Sequence, residues 1–76
     1  MARTVCCLIG GAGLIGSRLA RELIALERRV IVLDRNRPAV PVSGIEYVVG
    51  DYTDESVFAG VIGSCDEVVD LAYASQ

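Results

Sequence analysis

Short apolar runs alternate with amphipathic or polar stretches along the 76 residues of the chain. Between the first and second runs, over residues 13–27, apolar side chains recur every three or four positions, the spacing of an amphipathic helix. Its apolar side, which includes Ile15 and Leu26, is expected to cover the strands. A second helix is predicted over residues 54–62, with Thr53 or Asp54 as its N-cap and with Phe58 among the residues it buries. The apolar runs are rich in Val, Ile and Leu, as strands buried on both faces are, and predict strands over residues 4–9, 29–33, 45–49 and 67–71.

The order of these elements predicts how the strands are arranged. Residues 35–44 contain Pro38 and Pro41 and are too short and broken for a regular helix, so they are expected to form only a crossover. Strands that alternate with crossovers favour a parallel sheet with right-handed connections. The sequence therefore predicts an α/β fold, part of a doubly wound parallel sheet with strand order 3-2-1-4 and helices on its faces.

Glycines fill the turn between the first strand and the first helix, over residues 10–16. Their spacing matches both G-x-G-x-x-G and G-x-x-G-x-x-G. Gly10 or Gly11 is expected to allow the tight turn, and Gly16 to let the helix lie close to the strand. Gly13, without a Cβ, would let a diphosphate approach the N–H groups of the helix start. Because a predicted strand precedes the segment and a predicted helix follows it, the segment indicates a Rossmann-like, dinucleotide-binding domain. The alternative is a glycine-rich turn of another α/β protein.

Charged residues at the ends of the second and third strands are further binding candidates. Asp34 is expected to accept hydrogen bonds from the 2′- and 3′-hydroxyls of an adenosine ribose, with a simple turn role as the alternative. Its charge would oppose a 2′-phosphate and favour NAD, whereas Arg35 and Arg37 are placed to grip such a phosphate, so NADP stays open. Asp51 would accept from the adenine amino group while the Tyr52 N–H donates to the ring. A turn or capping role for Asp51 is the alternative.

Charge and cysteine content narrow the choice of partners. All seven Arg lie at or before Arg37, while residues 38–76 carry seven acids and no base, so neither nucleic acid nor an anionic membrane is an expected partner of that half. Cys6, Cys7 and Cys65 lack the spacing of a metal site, and no metal is expected. The sequence shows neither a signal peptide nor a membrane span, which predicts a cytoplasmic protein.

Four parts of the sequence together resemble the amino-terminal region of the extended short-chain dehydrogenase/reductases, the NAD-dependent nucleotide-sugar epimerases and dehydratases. They are Gly10-Gly11-Ala12-Gly13-Leu14-Ile15-Gly16-Ser17, Asp34, Gly50-Asp51-Tyr52-Thr53-Asp54 and Val68-Val69-Asp70-Leu71-Ala72. The resemblance covers the whole chain, and its glycine segment is the most specific part. It implies NAD as the cofactor, with the pyrophosphate on the N–H groups of Leu14 and Ile15 and the adenine ribose on Asp34. It further implies an adenine site at Asp51 and Tyr52, and a cofactor lining at Leu71 and Ala72.

The chain departs from that family in several places. Asp70 stands where the family usually has a histidine, and Tyr73 stands where it has an alanine, so Tyr73 is expected to crowd the nicotinamide-side ribose. The family's catalytic Tyr-x-x-x-Lys pair and its Ser or Thr lie well downstream, and this chain contains no lysine. Residues 1–76 are therefore expected to be the amino-terminal half of a dinucleotide-binding domain, inactive by itself. The alternative is a stand-alone, non-catalytic NAD(H)-binding module.

The fourth strand would form the edge of such a half-sheet. Residues 67–71 offer only acidic side chains to protect an edge of unpaired backbone groups. In a domain with so small a core, leaving apolar surface in water is costly. A homodimer that pairs through this edge, or through the surface near it, is therefore expected.

Overall fold

The computed structural model describes residues 4–71 and contains four strands and two helices within them. Each element lies where the hydrophobic pattern predicts it, within two residues at either end. In chain order they are β1 (Val5–Ile9), α1 (Leu14–Ala25), β2 (Arg29–Asp34), β3 (Ile45–Val49), α2 (Glu55–Ile62) and β4 (Glu67–Asp70).

The four strands form one parallel sheet in the order β3-β2-β1-β4, which confirms the predicted topology. Cys7 of β1 is level with Ile31 of β2 and with Val68 of β4, so β1 is a central strand with a partner on each side. Parallel neighbours need crossovers that leave the sheet, and here the crossover helices cover opposite faces.

Two apolar layers, one on each face of the sheet, form the core. On one face Cys6 and Leu8 of β1 lie with Val30 and Val32 of β2 beneath α1, where Ala20 is fully buried. The other face carries the alternate residues of the same strands beneath α2, namely Cys7, Ile9, Ile31 and Leu33 with Val61. Because side chains alternate along a strand, covering both faces requires the continuous apolar runs seen in the sequence.

Some side chains expected to face the sheet are exposed instead, so those predictions were wrong. Ile15 is 72% exposed and Leu26 is 67% exposed. Ile15 lies in the first turn of α1, which follows the carboxyl end of β1, and Leu26 lies beyond the last turn as the C-cap. Phe58 is also exposed, because α2 rests on the sheet through Val57 and Val61.

The carboxyl end of α1 closes in a Schellman motif. The Arg28 N–H donates to the Leu23 carbonyl at 3.1 Å, and the Glu27 N–H donates to the Ile24 carbonyl at 2.9 Å. This geometry places Glu27 in the left-handed region, with φ of 61°. Glycine is the usual residue at such a position because it has no Cβ to strain the backbone.

The amino end of α2 is capped by Asp54 and not by Thr53. The Asp54 carboxylate accepts hydrogen bonds from the Ser56 N–H at 3.0 Å, the Ser56 hydroxyl at 2.7 Å and the Val57 N–H at 3.5 Å. Those bonds, the Ser56 hydroxyl first, lower the pKa of Asp54, which keeps it ionised as a cap. Within residues 4–71, neither helix has the length and apolar character needed to cross a membrane.

Candidate nucleotide-binding site

The carboxyl ends of the strands meet along one edge of the sheet. The Gly10 N–H donates to the Leu33 carbonyl at 2.7 Å, and the Gly50 N–H donates to the Asp34 carbonyl at 2.9 Å. On the other side of β1, the Leu71 N–H donates to the Ile9 carbonyl at 2.8 Å. The segments that sequence analysis singled out are therefore brought together at the edge where ligands bind in doubly wound sheets.

Gly10 makes the turn that leaves β1. Its φ of 76° lies in the left-handed region, where a side chain would strain the backbone. Of the two glycines considered for the turn, Gly10 therefore has this role, and Gly11 has a different one. A Cβ on Gly11 would lie 2.8 Å from the Leu8 Cβ, so Gly11 is required by packing against β1.

Gly16 brings α1 against the turn. A Cβ there would lie 2.5 Å from the Gly11 Cα, closer than carbon atoms approach in proteins. The surroundings of Gly13 are different, because within residues 4–71 no atom beyond Gly13 and its two chain neighbours lies within 4 Å of the place where its Cβ would be. Close packing inside the protein therefore requires glycine at positions 11 and 16. Packing does not require glycine at position 13, where the neighbouring space is open.

The amino ends of the two helices differ in chemistry. Asp54 caps α2 and Glu55 adds an acid to its first turn. In α1, by contrast, the N-cap residue Gly13 has no side chain to accept a hydrogen bond, and the first turn contains no acid. The first N–H groups of a helix have no partner within the helix, and its amino end carries a partial positive charge. The start of α1, with Leu14 and Ile15 exposed, therefore suits an external anion.

Asp34 joins the glycine turn to the loop after β2. One carboxylate oxygen accepts from the Ala12 N–H at 3.1 Å, and the other accepts from the Asn36 N–H at 3.0 Å. The second bond is the turn interaction considered as the alternative role for this residue. Each oxygen keeps a further lone pair, so the same carboxylate has capacity to accept from the hydroxyls of a ribose.

Arg35, Asp51 and Tyr52 form a second cluster at this edge. The Arg35 guanidinium lies 3.4 Å from the Asp51 carboxylate and 5.4 Å from the centre of the Tyr52 ring. Asp51 also accepts from the Thr53 hydroxyl at 2.6 Å and from the Thr53 N–H at 2.9 Å. The bonds from Thr53, with a smaller effect of Arg35, lower the pKa of Asp51. The turn role of Asp51 is thus present in the structure, and its contact with adenine stays a prediction.

Of the two residues expected to line the cofactor beyond β1, only Leu71 can be described. Leu71 is half-buried against the layer beneath α1. Ala72 and Tyr73 lie outside the described residues. Among residues 4–71, no group of three or more Cys, Asp or Glu side chains converges as a metal site would require.

A groove that sequence analysis missed runs beside the glycine turn. It has a volume of about 320 Å³ and lies between α1 and the loop after β2, with Arg18 and Arg21 on one wall and Pro38 and Val40 on the other. The spacing of the two arginines, three residues apart on a helix, predicts that they share a face. The sequence does not indicate which segment lies opposite that face, because the answer depends on how residues 35–44 fold back.

The strand order and the parallel pairing define an α/β domain of the doubly wound class. The family model for the NAD dependent epimerase/dehydratase family matches residues 6–76, and the chain belongs to this family. No relative among curated proteins matches the chain.

Solved structures similar to this chain include epimerases and a dehydrogenase. An epimerase, Mth375, from Methanothermobacter thermautotrophicus is 32% identical with a TM-score of 0.77, and the match covers 91% of this chain and 22% of that one. A UDP-galactose 4-epimerase is 33% identical with a TM-score of 0.77, covering 88% and 23%. A variant of uronate dehydrogenase from Agrobacterium tumefaciens, complexed with NAD, is 25% identical with a TM-score of 0.71, covering 92% and 26%. The chain thus spans about a quarter of the length of these structures.

Proposed function

We propose that this chain binds NAD as the cofactor-binding portion of an epimerase/dehydratase-like oxidoreductase. The observation that carries this proposal is the uncapped amino end of α1, which opens onto empty space at Gly13 beside the Asp34 carboxylate. A dinucleotide needs two things from such an edge, namely donors for its pyrophosphate and an acceptor for its adenosine ribose. Both are present and adjacent, and the similar uronate dehydrogenase variant is complexed with NAD.

The cofactor would lie across the carboxyl ends of the strands. In this arrangement the N–H groups of Leu14 and Ile15 hold the pyrophosphate, and Asp34 accepts from the ribose hydroxyls. The adenine would rest near Asp51 and Tyr52. Leu71, with Ala72, would line the side of the cofactor beyond β1.

We further propose that NAD is bound in preference to NADP. Asp34 places a negative charge where a 2′-phosphate would arrive, and Arg35 is engaged by Asp51 and Tyr52. In Asp34→Ala, NAD affinity should fall by about 1–3 kcal/mol, the range for a charge-assisted hydrogen bond, while NADP affinity should fall less or rise. Titration calorimetry with each cofactor measures these two affinities. Asp34→Asn is the control, because it keeps a similar shape but removes the charge. Tighter binding of NADP than of NAD by the unsubstituted protein would show that the preference is wrongly assigned.

For the parent enzyme we propose a nucleotide sugar or related compound as the substrate. The family and the similarity to a UDP-galactose 4-epimerase support this proposal. We propose also that residues 1–76 form the amino-terminal half of the dinucleotide-binding domain and that they do not catalyse turnover. The chain has no lysine and hence no Tyr-x-x-x-Lys pair. NADH formation that depends on added nucleotide sugar, above a blank without protein, would contradict the absence of turnover.

The coding sequence after Gln76 offers a direct test of the enzyme proposal. A continuation into a segment with Tyr-x-x-x-Lys supports the enzyme, whereas a stop codon supports the alternative, a stand-alone NAD(H)-binding module. We further propose a cytoplasmic location, which the three free thiols support, because free thiols are usual in a reducing compartment.

The edge of β4 supports a further proposal, that the chain forms a homodimer. Within the described residues β4 pairs only with β1, and Val68 on its surface is 41% exposed. A two-fold contact through this edge, or through the adjoining surface of α2 around Phe58, would cover the exposed apolar side chains. Sedimentation equilibrium at tens of micromolar is the test, and a monomer at those concentrations contradicts the proposal.

A further inference from the structure

We propose that Cys65 and Cys7 form an oxidisable pair, in which hydrogen peroxide oxidises the Cys65 thiol and Cys7 then closes an intrachain disulfide with it. The observation behind this proposal is a juxtaposition. Cys65, half-buried after the end of α2, packs against the apolar layer that contains the fully buried Cys7 of β1. The inference goes beyond the proposed function, because neither thiol belongs to the candidate nucleotide-binding site.

The segment after α2 returns the chain to β1 and places Cys65 beside the amino end of that strand. The Asp66 N–H donates to the Val5 carbonyl at 2.8 Å, and the Asp66 carboxylate accepts from the Val5 N–H at 2.8 Å. Side chains two residues apart on a strand share a face, so Val5 and Cys7 point to the same side of the sheet. Both belong, with Cys65, to the layer beneath α2. Cys65 is therefore held at the end of the layer in which Cys7 lies.

The Cys65 sulfur is turned toward α2 and the layer beneath it. The Cys65 thiol donates to the Val61 carbonyl at 3.2 Å, and the Val61 side chain is buried in the layer together with Cys7. Cys65 also interacts with Cys7 directly. Burial is the larger cause and this interaction between the two thiols is the second, and together they raise the pKa of Cys7 to about 12. A disulfide between Cys7 and Cys65 would therefore join neighbouring sulfur atoms.

Solvent reaches the two thiols unequally. Cys65 is half-buried and lies between two exposed residues, Ser64 and Asp66, whereas Cys7 is 0% exposed. The thiolate is the nucleophilic form of cysteine, so a buried thiol of raised pKa does not attack a peroxide in solution. Cys65 is therefore oxidised first, and Cys7 reacts only with the oxidised Cys65. Cys6 takes no part, because it faces the layer beneath α1.

The reaction has two steps. In the first, the Cys65 thiol loses its proton and attacks one peroxide oxygen, so that an S–O bond forms, the O–O bond breaks, and the departing hydroxide takes up that proton to become water. In the second, the Cys7 sulfur attacks the sulfur of the Cys65 sulfenic acid. The S–S bond forms, the S–O bond breaks, and the hydroxyl group leaves with the Cys7 proton as a second water. The two thiols together lose two electrons, which the peroxide accepts. Because the second step is intramolecular, proximity offsets the raised pKa of Cys7.

The experiment adds hydrogen peroxide to the reduced, intact protein and measures the mass of the whole chain, with and without dimedone, which traps sulfenic acids. The expected product is lighter by two hydrogen atoms, carries no dimedone and returns to the starting mass with dithiothreitol. Cys6→Ala is the matched control, because Cys6 is also buried and is next to Cys7 in the chain but lies on the opposite face. This variant should give the same product. Its tryptic peptides show directly whether Cys7 and Cys65 are joined, since no other thiol remains and arginines separate the two residues.

Two further variants test the role of each thiol. Cys7→Ala should stop at the sulfenic acid of Cys65 and add one dimedone group, and Cys65→Ala should keep both of its thiols, with circular dichroism to show that the variants are folded. A sulfenic acid that persists in Cys6→Ala, oxidation of Cys65→Ala at the rate of the unsubstituted protein, or a disulfide between two chains would each overturn the inference. If Cys7→Ala does not fold, the peptides of Cys6→Ala still decide whether the disulfide forms. None of these outcomes depends on NAD binding, so this inference and the proposed function fail separately.

Discussion

Substituting Gly16 tests whether the glycine turn is held together by packing. In Gly16→Ala the new methyl group would lie 2.5 Å from the Gly11 Cα and 2.6 Å from the Gly11 carbonyl carbon. Ordinary contact begins at 3.4 Å, so α1 would have to move away from the turn by about 1 Å. The obstacle is backbone, which cannot rotate aside as a side chain does.

The cost of that movement can be set against the gain from a better helix former. Overpacking of this kind costs about 1–3 kcal/mol, while alanine is favoured over glycine inside a helix by about 0.5–1 kcal/mol. Because the obstacle is backbone, the cost should lie at the upper end of that range, about 2–3 kcal/mol, so the net effect should be a loss of about 1–2.5 kcal/mol. In a domain of this size this loss lowers Tm by roughly 4–20 °C. Thermal unfolding followed by circular dichroism measures the change.

Gly13→Ala is the matched variant, because the same methyl group is added three residues earlier in the chain. In the described part of the chain, only Gly13 and its two neighbours have atoms within 4 Å of that methyl group, and the φ of −79° at Gly13 is open to alanine. The loss of a glycine N-cap and the reduced freedom of the unfolded chain oppose each other, each by about 0.5–1 kcal/mol, so Tm should change little. NAD affinity should nevertheless fall by about ten-fold or more, because the methyl group occupies the space next to the pyrophosphate.

The two variants together separate folding from binding. A Gly16→Ala protein as stable as the unsubstituted one would show that α1 does not press on Gly11 as the structure indicates. A Gly13→Ala protein with full NAD affinity would show that the pyrophosphate does not lie at the start of α1.

Three further predictions concern stability and thiol chemistry. Glu27→Gly should raise the free energy of unfolding by about 0.5–1 kcal/mol, because φ at Glu27 is 61°. Glu27→Gln, which keeps a side chain, should leave that free energy unchanged. Urea unfolding of the two variants measures the difference. Since the pKa of Asp54 is lowered on folding, its stabilisation is present above the usual value of 3.8 and is lost as the pH falls through the lowered value. Asp54→Ala should therefore lower Tm at neutral pH, and by progressively less as the pH falls below 3.8. Asp54→Asn, which still caps, should lower Tm less than Asp54→Ala at neutral pH. Burial, with Cys65 close by, raises the pKa of Cys7 to about 12. Cys7 should therefore react with a thiol reagent only on unfolding, while half-buried Cys65 reacts in the folded protein. Fast labelling of Cys7 in the folded protein would refute this prediction.

The sequence by itself determined the fold of this protein and the edge at which its candidate site lies. The apolar runs have the length of strands and are separated by crossovers, which leaves few topologies. The doubly wound order, applied to these strands, gives β3-β2-β1-β4 as found. The glycine spacing likewise identified Gly16 as a close-packing position. These features could be predicted because they depend on residues near one another in the chain.

The tertiary structure decided which of several equivalent residues takes each role. Gly10 and not Gly11 makes the turn, and Asp54 and not Thr53 caps α2, since backbone dihedrals and hydrogen-bond distances select between neighbours that composition treats alike. The bond from Ala12 to Asp34 and the engagement of Arg35 by Asp51 join residues 22 and 16 positions apart. The groove of Arg18 and Arg21 exists only because residues 38–40 fold back beside α1. No local pattern encodes such contacts, because they arise where segments distant in the sequence are brought together by the sheet.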